Sequence, residues 1–172
     1  GKQVGEFCKK HNIPFAETQS GKSAIKSSHE LNLGGLGVTG NDCANTLCKD
    51  ADLIIGLGTR FTDFTTSSKW LYSNCQVVTI NASAFHANKL DSIAMVADVL
   101  EGIDALDKKL DGYVSSYTTE IADAKTAWAK EMARLTSQSY DAENFEPENK
   151  IKMPDSLDAF YNATGGKICQ TS

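Results

Sequence analysis

The amino-acid sequence predicts an α/β fold, an open parallel sheet with helices on both faces. Residues 52–58 form an apolar run that ends at Gly56 and Gly58, too short for a buried helix and typical of a strand covered on both faces. Residues 75–81 are rich in β-branched side chains and predict a second strand. Helical patterns alternate with such runs along the chain, and this alternation indicates a parallel sheet.

The chain opens with a predicted helix over residues 2–11, which has Val4, Phe7 and Cys8 on one face. A strand-like run over residues 14–18 follows it. A helix followed by a strand is half of a βαβ unit, and the strand that should precede the helix is missing from the sequence. We expect its absence to split the sheet and to expose apolar strand edges.

Glycines dominate the next segment. Residues 23–28 predict a short helix, and residues 32–40 (Asn-Leu-Gly-Gly-Leu-Gly-Val-Thr-Gly) predict a glycine-rich loop. Apolar residues then recur at helical spacing over residues 43–51, with Asn41 or Asp42 as the N-cap. This helix leads into the apolar strand over residues 52–58.

The second half continues with strands and helices in turn. A polar crossing over residues 65–73 has Trp70 and Leu71 as apolar anchors, and Asp98 begins a helix in a capping-box arrangement with Glu101. The remaining predicted elements are the strand 75–81, a loop through His86, a short strand 93–97, a helix that begins at Asp98 and is stopped by Gly112, and a second helix over 121–135.

Composition excludes two classes of partner. Lys and Arg number 17 against 22 Asp and Glu, a formal charge of −5 with no basic block, so nucleic acid is not expected to bind. No apolar stretch approaches the length of a membrane span.

The five cysteines are scattered along the chain and odd in number. This pattern indicates that they are small core residues of a cytoplasmic protein, and it argues against a disulfide framework.

Gly35, Gly37 and Gly40 form a literal G-x-G-x-x-G that opens a helix. In the dinucleotide-binding fingerprint the glycines follow a strand directly, whereas residues 28–32 do not predict a strand. Two interpretations stay open: a flexible surface loop, or a loop whose backbone amides face a ligand or a neighbouring domain. Residues 16–23 come close to a phosphate-binding loop, but Ala16 replaces its first glycine, and we exclude that function.

The polar residues after the strand 52–58 would lie at the carboxyl edge of the sheet, where ligands of open α/β sheets bind. Arg60 and Asp63 form an ion pair in one interpretation. In the other, Arg60 offers its guanidinium to an anionic cofactor. No nucleophile, acid-base pair or metal-ligand cluster is evident, so the sequence predicts no catalytic residue and no metal site.

Taken together, five segments resemble the central domain of thiamine-diphosphate-dependent enzymes, over about residues 1–135. Within that family, the trihydroxycyclohexane-dione hydrolases of bacterial inositol catabolism are the most similar branch; the acetolactate synthase group differs after Asp63. The resemblance rests on residues 17–23, 32–40, 44–45, 51–60 and 63–69.

The resemblance implies a Rossmann-like middle domain within a three-domain, cytoplasmic and homo-oligomeric enzyme. Thiamine diphosphate and magnesium would be bound by domains absent from this sequence, so the chain alone would be an inactive scaffold and interface. The missing first strand would lie between residues 14–18 and residues 52–58. The reaction of the whole enzyme would be hydrolytic C–C cleavage of trihydroxycyclohexane-1,2-dione to 5-deoxy-glucuronate.

Flavin-containing relatives suggest a cofactor site at Gly37, Gly40 and Arg60. The alternative function is therefore an FAD- or NAD-binding domain of an oxidoreductase or of an acetolactate-synthase-like enzyme. For domain organisation we predict a middle domain over residues 1–136, a linker with a short helix over 137–166, and the start of a diphosphate-binding domain over 167–172.

Overall fold

A computed structural model describes residues 1–137, and residues 1–135 form one compact unit. Helices and parallel strands alternate in it, as expected for the predicted α/β fold. The strands are β1 (Phe15–Glu17), β2 (Asn32–Gly35), β3 (Leu53–Leu57), β4 (Gln76–Ile80) and β5 (Ile93–Met95). The helices are α1 (Lys2–His11), α2 (Asp42–Asp50), α3 (Asp63–Thr66), α4 (Ala84–Ala87), α5 (Val99–Lys109) and α6 (Thr118–Ser137).

The strands form two separate parallel sheets. β1 pairs with β2 in one, and β3, β4 and β5 pair in that order in the other. The three-stranded sheet keeps an unbroken register between β3 and β4, whereas the pairing of β1 with β2 shifts between Phe15 and Glu17. The prediction of a split sheet is therefore confirmed.

β3 has the sequence of a central strand but the position of an edge strand. The prediction that both its faces are covered is confirmed only in part: Ile54 packs against one apolar cluster and Leu57 against another, but Leu53 is 46% exposed. The physical reason is that β3 pairs with β4 on one side only. An apolar strand edge is therefore exposed, as predicted.

Two apolar clusters hold the unit together. The larger one joins α1, the first sheet and α2 to Ile103 of α5 and Ile121 of α6. The smaller one lies beside the second sheet and consists of Phe61, Leu71, Tyr72 and Val77. Residues from both the amino-terminal and the carboxyl-terminal part of the unit thus contribute to the larger cluster. Through these helices the larger cluster links the two sheets.

Three local predictions are wrong. The glycine-rich run 32–40 begins as strand β2, because its backbone pairs with β1 although it lacks β-branched residues. Residues 23–28 form turns and bends instead of a short helix, and a 3-10 turn lies earlier, at Gln19–Gly21. Trp70 is exposed beneath the Lys49 ammonium, 3.7 Å from the ring centroid, and only Leu71 is a buried anchor.

Helix ends follow the predicted capping residues. Asn41 caps α2 by accepting a hydrogen bond from the Ala44 amide, and Asp98 caps α5 by accepting one from the Leu100 amide, both at 2.8 Å. No helix within residues 1–137 is long and apolar enough to span a bilayer. The predicted linker 137–166, the segment 167–172 and Cys169 lie outside the described residues, apart from Ser137, which ends α6.

Candidate functional site

The carboxyl ends of the strands are followed by the loops that carry the predicted site residues. The loop over residues 36–41 connects β2 to α2, and residues 58–62 connect β3 to α3. The Val38 amide donates to the Phe64 carbonyl at 2.8 Å, so these two connections lie side by side. The structure therefore brings the glycine loop to the carboxyl edge at which the sequence places Arg60.

Gly37 and Gly40 are required by close backbone contacts. Gly37 has φ +105°, and a Cβ atom there would lie 2.1 Å from the Phe64 carbonyl oxygen. A Cβ atom on Gly40 would lie 2.5 Å from the Gly35 carbonyl oxygen. Neither position accepts a side chain without movement of the backbone, so both glycines have a structural role whether or not a ligand binds.

The amides of the glycine loop are mostly engaged within the protein. The Gly37 amide donates to Asn45 Oδ1 at 2.9 Å, and Asn45 Nδ2 donates back to the Gly37 carbonyl at 3.0 Å. The other engaged amides are those of Leu36, Val38, Gly40 and Asn41, which donate to backbone carbonyls. A phosphate cradle needs amides that point at the ligand, and this loop retains few of them.

Arg60 lies in a constrained turn with its side chain exposed. The next residue, Phe61, has φ 44° and is buried, and its ring covers Gly56, where a Cβ atom would lie 2.4 Å from the ring. Lys89 Nζ donates to the Arg60 carbonyl at 2.9 Å. Within residues 1–137 Arg60 forms no ion pair with Asp63 or another carboxylate. The interpretation that Arg60 and Asp63 pair is therefore wrong.

Asn81 is a buried residue at the same edge that sequence analysis missed. Its Nδ2 donates to the Thr59 carbonyl, and its Oδ1 accepts from the Ser83 amide, both at 2.9 Å. Its backbone amide donates to Met95. Asn81 thus holds together the ends of β3, β4 and β5. Its position directly after the β-branched strand β4 was the sequence signal that could have identified Asn81 as a residue of this edge.

A second polar cluster joins α1 to α5, at the opposite edge of the sheets. His11 is buried, with Nδ1 2.8 Å from the Tyr113 carbonyl and Nε2 2.7 Å from Asp107 Oδ1. Lys10 Nζ donates to both Asp107 oxygens at 2.8 Å. These hydrogen bonds, from Lys10 first and then His11, lower the pKa of the Asp107 carboxyl. Sequence analysis placed His11 at the end of the predicted helix 2–11 and gave it no functional role.

The cysteines within residues 1–137 are free; Cys8 and Cys43 are buried, as the predicted core role requires, whereas Cys48 and Cys75 are half-buried. Burial raises the pKa of the Cys8 thiol to about 11 and that of Cys48 to about 12. Burial also raises the pKa of Cys43 and Cys75. Thiols of this kind stay protonated near neutral pH, so these cysteines are poor nucleophiles.

Metal-binding chemistry has no candidate in the part of the chain that the structure describes. Among residues 1–137, no three His, Cys, Asp or Glu side chains lie close enough to share a metal ion. His29 Nδ1 accepts from the Leu31 amide at 3.2 Å, and the half-buried His86 has its ring centroid 5.2 Å from that of Phe85. The carboxyl edge carries a loop closed by its own hydrogen bonds, the exposed Arg60, and the exposed apolar side chains of Val38, Phe64 and Phe85.

Known proteins that resemble this chain agree on one family. The sequence profile described as "Thiamine pyrophosphate enzyme, central domain" matches residues 1–106. The 3D-(3,5/4)-trihydroxycyclohexane-1,2-dione hydrolase of Geobacillus thermodenitrificans (strain NG80-2) is 54% identical over 166 residues, which is 96% of this chain and 26% of that protein. The protein of the same name from Clostridium botulinum (strain Alaska E43 / Type E3) is also 54% identical, over 100% of this chain and 27% of its own length.

Similarity extends to a more distant relative. The hydrolase of the same name from Bacillus anthracis (strain A0248) is 50% identical over 99% of this chain and 27% of its own length. The chain thus spans about a quarter of the length of the curated relatives it matches. The similarity covers nearly the whole chain, including residues beyond the profile match.

Proposed function

This chain belongs to the thiamine pyrophosphate enzyme family, whose central domain it matches, and from this premise we propose that it is the non-catalytic middle domain of a longer hydrolase. That enzyme would cleave a C–C bond of trihydroxycyclohexane-1,2-dione to give 5-deoxy-glucuronate, in cytoplasmic inositol catabolism. The observation that carries this proposal is 54% identity over 96% of the chain to a protein of that name. The role of the domain itself would be scaffold and interface.

Thiamine diphosphate and magnesium do not fit the described residues. Magnesium prefers several oxygen ligands, and no suitable group of carboxylates lies together within residues 1–137. The glycine loop, the region that best suits a diphosphate, has most of its amides engaged by Asn45 and backbone carbonyls. We therefore assign the binding of both groups to other domains of the same polypeptide, and propose that the whole enzyme is homo-oligomeric.

A site for FAD at Gly37, Gly40 and Arg60 is the second candidate function. Arg60 supports it, because its exposed guanidinium has no ion-pair partner within residues 1–137 and lies beside the glycine loop. The engaged amides weigh against it, since a pyrophosphate would have to displace existing hydrogen bonds. Flavin absorbance in the purified polypeptide, or calorimetric titration with FAD and NAD, distinguishes the two functions.

Two samples test the primary proposal: the 172-residue chain, and the gene-length polypeptide that contains it. Each is supplied with thiamine diphosphate, Mg²⁺ and the cyclic dione, and ring opening is followed by chromatography of the product acid. We expect turnover from the longer polypeptide only. Turnover by the 172-residue chain would overturn the scaffold role, and a well-folded but inactive longer polypeptide would overturn the assigned reaction.

A further inference from the structure

An Asp-Gly pair, Asp111–Gly112, lies in the connection between α5 and α6, residues 110–117. No other aspartate and no asparagine in the sequence precedes a glycine. An aspartate in front of glycine is chemically labile, because glycine has no side chain to hinder attack of its backbone nitrogen on the aspartyl side chain. The pair therefore invites a modification of the backbone that needs no enzyme.

The structure leaves both reacting groups accessible. The Asp111 side chain is exposed and forms no ion pair within residues 1–137. The Gly112 amide donates to no backbone carbonyl in the same range, and nothing lies within 4 Å of the position that a Cβ atom on Gly112 would occupy. The side chain and the amide nitrogen therefore approach each other without breaking a backbone hydrogen bond or displacing a neighbour.

The modification exchanges only water and transfers no electrons. The Gly112 nitrogen attacks Cγ of the Asp111 side chain in its carboxylic acid form, the amide proton and the carboxyl hydroxyl leave as water, and a cyclic imide forms. Water then opens the imide at either carbonyl carbon. Opening at the backbone carbonyl carbon of Asp111 leaves the peptide bond on the side-chain carbon and frees a carboxylate, and the product is isoaspartate.

The peptide bond that changes lies directly before the backbone that binds His11. His11 Nδ1 lies 2.8 Å from the Tyr113 carbonyl, and this ring nitrogen donates because a carbonyl only accepts. The Ser115 amide donates to the His11 carbonyl at 2.8 Å. Isoaspartate adds a methylene group, roughly 1.5 Å of extra main chain, and so displaces Tyr113. Because His11 is buried, the loss of this acceptor leaves a buried donor unpaired.

We propose that Asp111–Gly112 is a site of spontaneous isoaspartate formation, and that the modification releases the end of α1 from the connection between α5 and α6. The labile pair and the groups that bind α1, the Tyr113 carbonyl and the Ser115 amide, belong to one short segment. Chemical ageing at one peptide bond thereby weakens a tertiary contact of the domain. The inference is independent of the reaction proposed for the longer enzyme.

Ageing of the gene-length polypeptide tests the site. The polypeptide is incubated at physiological temperature and pH for several weeks, and electron-transfer fragmentation of its proteolytic peptides locates isoaspartate. Asp104, also exposed but followed by Ala105 within α5, is the internal control, because helical hydrogen bonding restrains its backbone. We expect at least about tenfold more isoaspartate at position 111 than at position 104. Equal amounts at the two positions, or none at position 111, would refute the site.

Hydrogen exchange followed by mass spectrometry tests the release of α1. Ion-exchange chromatography separates the isoaspartate form, and amides at the end of α1 and in residues 113–117 should exchange about tenfold faster in it than in fresh protein. Asp111→Glu is aged in parallel: it keeps the charge, but its longer side chain cyclises far more slowly, so its exchange should stay at the level of fresh protein. Circular dichroism checks that this variant folds. Unchanged exchange in the isoaspartate form, or equally fast exchange in aged Asp111→Glu, would overturn the inference.

Discussion

The two sheets of this domain are stabilised in different ways. The three-stranded sheet of β3, β4 and β5 has a regular ladder, with five consecutive residue pairs between β3 and β4. The two-stranded sheet of β1 and β2 is short and irregular, and side chains such as Asn45 and Asn41 hold the loop that follows it. Backbone hydrogen bonds between strands follow from strand-forming runs in the sequence, whereas hydrogen bonds from side chains depend on which residues meet in the fold. The three-stranded sheet is therefore easier to predict than the two-stranded sheet.

The largest expected effect concerns the glycine loop beside the two-stranded sheet. Gly37→Val should lower the free energy of unfolding by roughly 4 kcal/mol, because it adds a Cβ atom 2.1 Å from the Phe64 carbonyl at a φ of +105°. Gly112→Val is the control: its φ is +76°, but nothing lies within 4 Å of its Cβ position, so only backbone strain of about 1–2 kcal/mol is expected. Urea unfolding followed by circular dichroism measures both. Equal losses would refute the close-contact explanation.

A core substitution compares the centre of the three-stranded sheet with its open edge. Ile80→Ala in β4 should cost about 3 kcal/mol, because Ile80 is fully buried and packs where α5 approaches at Gly102. Leu53→Ala in β3 should cost about 1 kcal/mol or less, since Leu53 is 46% exposed. Chemical denaturation gives both values. A cost at Leu53 that matches the cost at Ile80 would mean that the edge of β3 is covered in solution.

Two asparagines compare how the two sheets hold their loops. Asn81→Ala should cost about 2 kcal/mol, because Asn81 is buried and its loss leaves the Thr59 carbonyl and the Ser83 amide without partners. Asn45→Ala removes two hydrogen bonds to Gly37 at a half-buried position, and about 1 kcal/mol is expected. A larger loss of unfolding free energy for Asn45→Ala than for Asn81→Ala would contradict this order. It would mean that the glycine loop depends more strongly on side-chain hydrogen bonds than the three-stranded sheet does.

The smallest effect concerns the link between α1 and α5, which joins the two halves. Hydrogen bonds from Lys10 and His11 lower the pKa of the Asp107 carboxyl in the folded state. A depressed folded-state pKa adds stability above the unfolded value of about 3.9, and this stability is lost as the pH falls through the folded pKa. Asp107→Asn should therefore make unfolding less dependent on pH in that acidic window.

Thermal midpoints recorded between pH 2 and pH 6 provide the measurement. Asp104→Asn is the matched control, because Asp104 is exposed on the same helix and has no ion pair within residues 1–137. Its pH profile should follow that of the unmodified protein. An unchanged profile for Asp107→Asn would show that this carboxylate does not couple folding to pH.

Most helices and strands could be predicted because their signals are local. The helical spacing of Val4, Phe7 and Cys8 and the β-branched run of β4 each appear in the structure as predicted elements. β2 could not be predicted, since Asn32-Leu-Gly-Gly35 has little strand propensity and is extended because it pairs with β1. The burial of β3 was misjudged for a related reason: the apolar run matches a central strand, but burial depends on what pairs with each edge.

Some features of the candidate site could likewise be predicted from the sequence and others could not. The place of Arg60 at the carboxyl edge could be predicted, because it follows the predicted strand 52–58. The place of Gly37 and Gly40 could not be predicted in this way, because the strand that precedes them, β2, was not predicted. The engagement of the loop amides could not be predicted either, because it depends on Asn45, eight residues from Gly37, and on the carbonyl of Phe64. Asn81 and the Asp107 cluster were missed because their partners lie on other elements of the fold.

The sequence by itself determined the α/β class, the order of most helices and strands, the core position of Cys8 and Cys43, and the family of this chain. These properties depend on residue type and spacing, which are read along the chain. Only the tertiary structure decided which strands pair in each of the two sheets, that the glycine loop is closed by its own hydrogen bonds, and that Arg60 has no acidic partner within residues 1–137. Those properties depend on which backbone and side-chain groups from different elements come into contact. These contacts are set by the packing of the whole domain, because no local stretch of sequence contains both partners.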